Sequence, residues 1–270
     1  MVSVMDKKLA LKIENAEADI LYSRLTAIKE MHGNPMGVEI KLFGNTVAFS
    51  VKNIPGPAFN TVKGLSNADE NQVEKIISFY NQKGIPVRFE LIPEQVSPDL
   101  FKYLHRLGYY HGHFHTSLYK TAEHKAITNI IDTEISIREL KEDKFDIFAE
   151  IYTAGFNMPP FVKKSVAENN KILHNHPNWT FYLASIDNHP VGVGVLFIKD
   201  KIATLAAAAT LPTFRNKGIH TALIKKRMQH ATKEGWDLIV GQARFGLLSQ
   251  NNMERAGLRI GYTKAIWVKD

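Results

Sequence analysis

At 270 residues, 44% of them hydrophobic, the chain is long enough for one large domain or two of ordinary size with a substantial core. It contains no cysteine, which excludes a disulfide framework and any thiol nucleophile. The net charge of +7 suits an anionic partner, but Lys7-Lys8, Lys163-Lys164 and Lys225-Lys226-Arg227 are short clusters among acids, which reads as solvated surface rather than a nucleic-acid face.

The opening Met1-Val2-Ser3-Val4-Met5-Asp6-Lys7-Lys8 lacks the apolar stretch of a signal peptide. No apolar run reaches about 18 residues, so no membrane partner is expected and the expected location is cytoplasmic. In the first half, the pattern predicts a helix over Ile13–Met31, strands Val38–Phe43 and Thr46–Val51 around a Gly44-Asn45 turn, and a loop Asn53–Gly64. A helix Asp69–Lys83 follows, stopped by Gly84 and Pro86 before a strand Val87–Leu91. His111, His113 and His115 share one face of a later strand; nearest neighbours there are far apart for one tetrahedral ion and no acid is adjacent, so no metal is expected.

A boundary falls around Thr121–Thr133. Leu104–His113 can be laid over Met253–Tyr262, each a helix end, a glycine stop and a strand, which suggests two copies of one α/β unit. The second half predicts a strand Glu134–Leu140, helices near Asp143–Phe156 and Lys163–His174, and strands Trp179–Ile186, Val191–Lys199 and Lys201–Leu211. Between its first two helices lies the aromatic, proline-rich corner Phe156-Asn157-Met158-Pro159-Pro160-Phe161.

The strand then delivers Pro212-Thr213-Phe214-Arg215-Asn216-Lys217-Gly218-Ile219-His220 into a helix from Thr221 to Glu234. Such a turn gathers free backbone N–H groups and the positive dipole end around one small volume, which suits a pyrophosphate; an ordinary strand-to-helix connection is the alternative. On that helix Ile219, Ala222, Leu223, Ile224, Met228 and Ala231 form the apolar stripe, with Lys225, Lys226 and Arg227 assigned to the remaining face. Gly235 stops it, a strand Trp236–Gly241 follows, and a short helix from Ser249, with Ser249 as its cap, closes at Gly257 before a last strand to Val268.

The spacing Arg215-x-x-Gly218-x-His220 resembles the Arg/Gln-x-x-Gly-x-Gly/Ala loop of the GNAT superfamily of N-acetyltransferases, which holds the pyrophosphate of acetyl-CoA. The region Ser249–Leu258 resembles that family's later helix, with Met253 where many members have a catalytic Tyr. Together with Pro57–Leu65, Pro86–Glu90 and Thr210-Leu211-Pro212, these segments look like a bacterial tandem-GNAT group, in which a polar residue commonly ends the loop and the Tyr is commonly absent. The resemblance implies an α/β (α+β) fold with mixed central sheets flanked by helices. It implies a degenerate domain over residues 1–121, whose segment Val51–Asn60 stands in place of an anion loop, and an acetyltransferase domain over 134–270.

It further implies acetyl-CoA as cosubstrate, with no metal, bound by Thr210, Leu211, Arg215, Asn216, Lys217, Gly218, Ile219, His220 and Thr221. A primary amine of a small molecule is the expected acceptor, with Phe156 and Phe161 as its wall, and a homodimer is left open. Main-chain groups of Thr210 and Leu211 would polarise the thioester carbonyl. The strand Thr204–Thr210 carries no acid, so the base is left among water, Glu150, Tyr152 and a group from the other half. Ser249 or Asn252 would hydrogen-bond the departing sulfur in place of Tyr. Two other readings stay open: a non-catalytic acyl-CoA sensor, motivated by the missing Tyr and Glu, and a protein- or ribosome-directed acetyltransferase, favoured by the basic charge.

Overall fold

The computed structural model describes residues 4–54, 56–122 and 134–270. The boundary segment read around Thr121–Thr133 lies largely outside them. In chain order the elements are α1 (Lys7–Lys29), β1 (Val38–Phe43), β2 (Thr46–Val51), β3 (Thr61–Lys63), α2 (Val73–Asn81), β4 (Phe89–Leu91), α3 (Pro98–Arg106) and β5 (Tyr110–Thr121). Then come β6 (Ile135–Glu139), α4 (Phe145–Gly155), α5 (Lys163–Lys171), β7 (Trp179–Ile186), β8 (His189–Lys199), β9 (Ile202–Thr210), α6 (Ile219–Lys233), β10 (Leu238–Arg244), α7 (Leu248–Arg255) and β11 (Arg259–Val268). This mixed α/β composition is the expected fold class.

Two compact units divide the chain: one holds residues up to Ser117 together with Ile260–Asp270, the other Leu118–Arg259. The last strand, expected at the end of a domain over 134–270, therefore belongs to the first unit. Its backbone explains this, because β11 runs antiparallel to β4 with Ala265 opposite Leu91 and Trp267 opposite Phe89. Trp267 also stacks on Phe101 of α3, ring centroids 5.3 Å apart.

In the first unit the strand order is β1-β2-β3-β4-β11-β5. Helix α1 starts earlier than its apolar pattern suggests because Asp6 caps it, its carboxylate accepting the Leu9 amide at 2.7 Å. Strand β3, inside the segment expected to be a loop, has Val62 opposite Phe89 of β4 in parallel. The connection from β3 into α2 is therefore Gly64–Ser66 and a 3-10 turn over Asn67–Gln72, not Val51–Asn60. Phe43, Val62, Ile76, Tyr80, Phe89 and Leu104 belong to the core.

That unit also buries charge. Lys264 of β11 is held by Glu14 at 3.1 Å, by Glu90 at 3.2 Å and by Glu17, and Lys63 pairs with Glu90 at 2.7 Å. Burial alone would lower the pKa of the Lys264 ammonium, but the three carboxylates raise it well above the ordinary lysine range. Burial likewise pushes the Glu90 carboxyl up, yet Lys63, Lys264 and Arg88 bring it well below the usual carboxylate range.

In the second unit the order is β10-β9-β8-β7-β6, with β9 and β10 parallel and the other pairs antiparallel. Helix α6 lies directly on β8. A Cβ at Gly192 would come within 2.6 Å of Ile219, and one at Gly194 within 3.2 Å of Leu223, so these two glycines let the helix reach the strand. No helix among the described residues is long and apolar enough to cross a membrane.

Candidate functional site

The site begins where two parallel strands part. Strands β9 and β10 stay in register from Ile202 opposite Leu238 to Leu205 opposite Gly241, yet β9 continues to Thr210. Residues Ala206–Thr210 thus present an edge that β10 has left. The Leu211 amide donates to Val191 O at 2.9 Å, toward β8. With antiparallel alternation, the Thr210 amide faces the opposite way, onto the parted edge. Leu211, expected to supply a free main-chain donor beside Thr210, has that donor committed to the sheet.

A bulge shapes the same edge: the β8–β9 register shifts between Gly194 and Leu196. Arg227 resolves it. Its guanidinium donates to Val195 O at 3.1 Å and to Ala207 O at 3.3 Å, the carbonyls the bulge takes out of the ladder, and to Leu223 O at 3.0 Å. Arg227 is 2% exposed, not on a solvent face as expected. The spacing 219, 223, 227 puts it on the apolar stripe. Burial lowers its pKa to about 10, partly offset by Tyr182.

Beyond Thr210 the chain turns through Pro212–Phe214 and reaches α6 by two left-handed residues, Asn216 at φ +63° and Gly218 at +78°. Gly218 is the N-cap and supplies no side chain, and no acid lies in the first turn. The first intrahelical bond is donated by Ala222 to Gly218 O, so the amides of Ile219, His220 and Thr221 are free of the helix ladder. Arg215 Nη2 donates to Gly155 O at the end of α4, at 2.8 Å, and Lys217 lies over the Phe214 ring at 5.2 Å.

These elements enclose a cavity of about 440 Å³. Thr210, Arg215, Asn216, Gly218, Ile219, His220, Thr221, Ser249, Asn252 and Phe156 line it, joined by Gly155, Ala208, Ala209 and Arg255, which sequence reasoning did not single out. Leu211, Lys217, Glu150, Tyr152 and Phe161 do not line it. Glu150 is paired instead with Lys163 at 2.9 Å in solvent, Tyr152 packs between Phe148 and Phe156, and Phe161 is 79% exposed. Ser249 is not the helix cap: α7 begins one residue earlier, with Leu247 at the cap position. Met253 packs against Gly241 in the core, where a glycine Cβ would meet its sulfur at 2.5 Å.

The polar groups of the cavity are neutral or cationic. Thr210 Oγ1 is buried with no hydrogen-bond partner among the described residues. His220 Nδ1 and Asn252 Nδ2 are 3.0 Å apart, and Arg255 Nη1 donates to Asn252 Oδ1 at 3.2 Å. Burial, helped by the Arg227 charge, pushes the His220 imidazole down to about 4. No carboxylate lines the cavity. Among the described residues no group of three or more His, Asp or Glu is placed to hold a metal ion.

Residues 142–244 match the acetyltransferase (GNAT) family model. No curated protein matches the chain. Among solved structures it is similar to a GCN5-related N-acetyltransferase from Kribbella flavida, with 14% identity and a TM-score of 0.61 over 91% of this chain and 95% of that one. It is similar to a GCN5-related N-acetyltransferase from Sphaerobacter thermophilus at 12% identity and TM-score 0.63, covering 83% and 80%. A conserved Staphylococcus epidermidis protein of unknown function aligns at 15% identity and TM-score 0.62, covering 90% and 96%. Residues 142–244 are thus similar to the acetyltransferase (GNAT) family, and the chain has the fold of the GCN5-related N-acetyltransferases.

Proposed function

We propose that the chain is an acetyl-CoA-dependent N-acetyltransferase for a primary amine of a small molecule, with one coenzyme site, in the second unit. The observation that carries this reading is the parted β9–β10 pair opening onto an uncapped, acid-free helix N-terminus. The free amides of Ile219, His220 and Thr221 and the positive end of α6 suit a pyrophosphate. The parted edge of β9 offers an extended segment the Thr210 amide and the unpartnered Thr210 hydroxyl.

Acyl transfer forms the amide C–N bond and breaks the thioester C–S bond, releasing coenzyme A as a thiolate that takes a proton from water. The Thr210 amide hydrogen-bonds the acyl carbonyl oxygen and stabilises the negative charge that develops as the amine nitrogen attacks. Gly155 and Phe156 at the end of α4 bound the space from which the amine approaches. The proton leaves the amine to water, because the lining contains neither carboxylate nor tyrosine. The first unit is read as the degenerate copy.

The same missing base favours a second reading, a non-catalytic acyl-CoA-binding module. Calorimetric titration with acetyl-CoA of wild type, Arg215→Ala and Gly218→Asp tests the site: a carboxylate at the α6 N-terminus should abolish binding, and unchanged affinity in both variants would disprove the assignment. Thiol release across a panel of amines separates the readings, since turnover with any amine removes the binding-module alternative.

A further inference from the structure

The cavity's only imidazole belongs to a hydrogen-bonded relay whose direction follows from chemistry alone. A guanidinium has donors and no acceptor. Arg255 Nη1, 3.2 Å from Asn252 Oδ1, therefore fixes that atom as the amide oxygen. Asn252 then turns its NH2 toward His220, and Nδ1 of His220, 3.0 Å away, has to accept. With a lone pair on Nδ1, the neutral ring carries its proton on Nε2. Nε2 has no hydrogen-bond partner among the described residues, and His220 lines the cavity.

Position adds the second constraint. His220 is the second residue of α6, directly after Gly218 and Ile219, and helical side chains lean toward the N-terminus. The imidazole thus shares its neighbourhood with the three free amides. The charges facing it are Arg227 from its own helix, Arg255 from α7 and Arg215 from the loop, with no carboxylate in the lining; Glu254 of α7 is taken by Gln250 at 3.1 Å.

We propose that Arg255 and Asn252 lock His220 as a neutral Nε2–H donor that hydrogen-bonds the phosphate of bound coenzyme. His220 is then neither the base of the reaction nor a fourth cation. It supplies a directed N–H where the family loop has a small residue, and the relay prevents protonation at Nδ1 because Asn252 could accept from that atom only by turning its NH2 against Arg255. This role rests on the coenzyme reading of the cavity; the tautomer does not.

The test uses the full 15N-labelled chain and long-range 1H–15N spectra of its histidines, with His220 assigned by comparison with His220→Gln. The expected result is an Nε2–H neutral pattern for His220 from pH 5.5 to 8, and a shift of its Nε2 resonance on adding coenzyme A. Asn252→Asp reverses the relay, because a carboxylate accepts from Nδ1 while still pairing with Arg255; His220 should then be doubly protonated at pH 6.5. In titrations with coenzyme A, His220→Ala should weaken binding about tenfold, whereas His220→Gln, which keeps an N–H donor, should stay within about threefold of wild type. An Nδ1–H pattern or an ordinary titration near 6.5 overturns the lock. Coenzyme A that binds without moving Nε2 overturns the contact alone, and a locked tautomer with no coenzyme A binding overturns the contact together with the coenzyme reading.

Discussion

Each unit contains a parallel strand pair whose second strand departs early, and the two treat the resulting gap in opposite ways. In the second unit β10 leaves β9 after Leu205, and the gap is a cavity rimmed by free amides, Arg215 and Arg255. In the first, β3 and β4 match only at Val62 and Phe89, and the next side chains, Lys63 and Glu90, close on each other at 2.7 Å with Glu14, Glu17 and Lys264 around them. The helix starts differ in sign as well. The turn into α2 carries Asp69 and Glu70, with Asp69 accepting from the Asn45 amide and the Thr46 hydroxyl, whereas the first turn of α6 has no acid. Acids in the first turn offset the positive helix end to which an anion would be drawn. One construction is filled by the chain's own charges in one unit and left open in the other, and on the proposed reading the open one is the coenzyme site.

The strongest break of this contrast is Lys264→Met. It leaves Glu14, Glu17 and Glu90, each at most 6% exposed, with Lys63 and Arg88 as the cations left to balance them among the described residues. Uncompensated buried charge costs about 3–5 kcal/mol. Urea unfolding should show a loss of that size; a loss under about 1 kcal/mol would mean that the ion network is not what fills the first unit.

Next in size is a pH effect shared by the units. His115 on β5 is pushed down to about 4 by burial and by the Lys264 charge, as His220 is by burial and Arg227. Both fold with values below the unfolded 6.5, so the unfolded chain binds more protons between those limits, and stability falls as pH drops from about 6.5 toward 4. Each histidine contributes up to about 3 kcal/mol at the acid end. Unfolding measured at pH 7.5, 6 and 5 should show the slope, and His115→Gln and His220→Gln should each remove its own share. A slope unchanged by both substitutions would place the titrating groups elsewhere.

Arg227→Met tests whether the open gap needs its own support. The substitution keeps the apolar stem but strands Val195 O and Ala207 O, for a cost of about 2 kcal/mol. If the bulge holds the β9 edge that presents the Thr210 amide, turnover with acetyl-CoA falls more than coenzyme affinity does; equal losses would mean that Arg227 only stabilises the fold.

How far the sequence reveals this contrast depends on the range of the interactions. Strands Val38–Phe43, Thr46–Val51 and Trp179–Ile186 were readable to the residue because apolar patterning ends at strong turn residues. The α6 N-terminus was readable because its loop is contiguous. Strand β3 escaped because three residues carry no periodicity. The place of β11 was hidden because nothing local to Arg259–Val268 distinguishes pairing with β4 from pairing inside its own half. Glu17 meets Lys264 across 247 positions and His220 meets Asn252 across 32, so neither contact has a local signature. Arg227 is different: its place in the 219–223–227 stripe was visible, and charge alone led to its assignment to solvent.

The smallest predicted effect sharpens the comparison most cleanly. Gly64, after β3, has φ +76°, and Gly218, before α6, has +78°, so alanine at either is forced into the left-handed region at about 1 kcal/mol. A Cβ at Gly64 would also press on Asn45 O at 3.2 Å. The two variants should otherwise unfold alike and separate only in ligand binding. Gly218→Ala disturbs the residue that orients the Ile219, His220 and Thr221 amides and should weaken acetyl-CoA several-fold, while Gly64→Ala should leave its affinity unchanged, because that turn leads to a helix start whose first turn already carries the acids Asp69 and Glu70. Equal loss of affinity in both would show that the first unit contributes to coenzyme binding and that the division between a filled and an open gap does not divide the function.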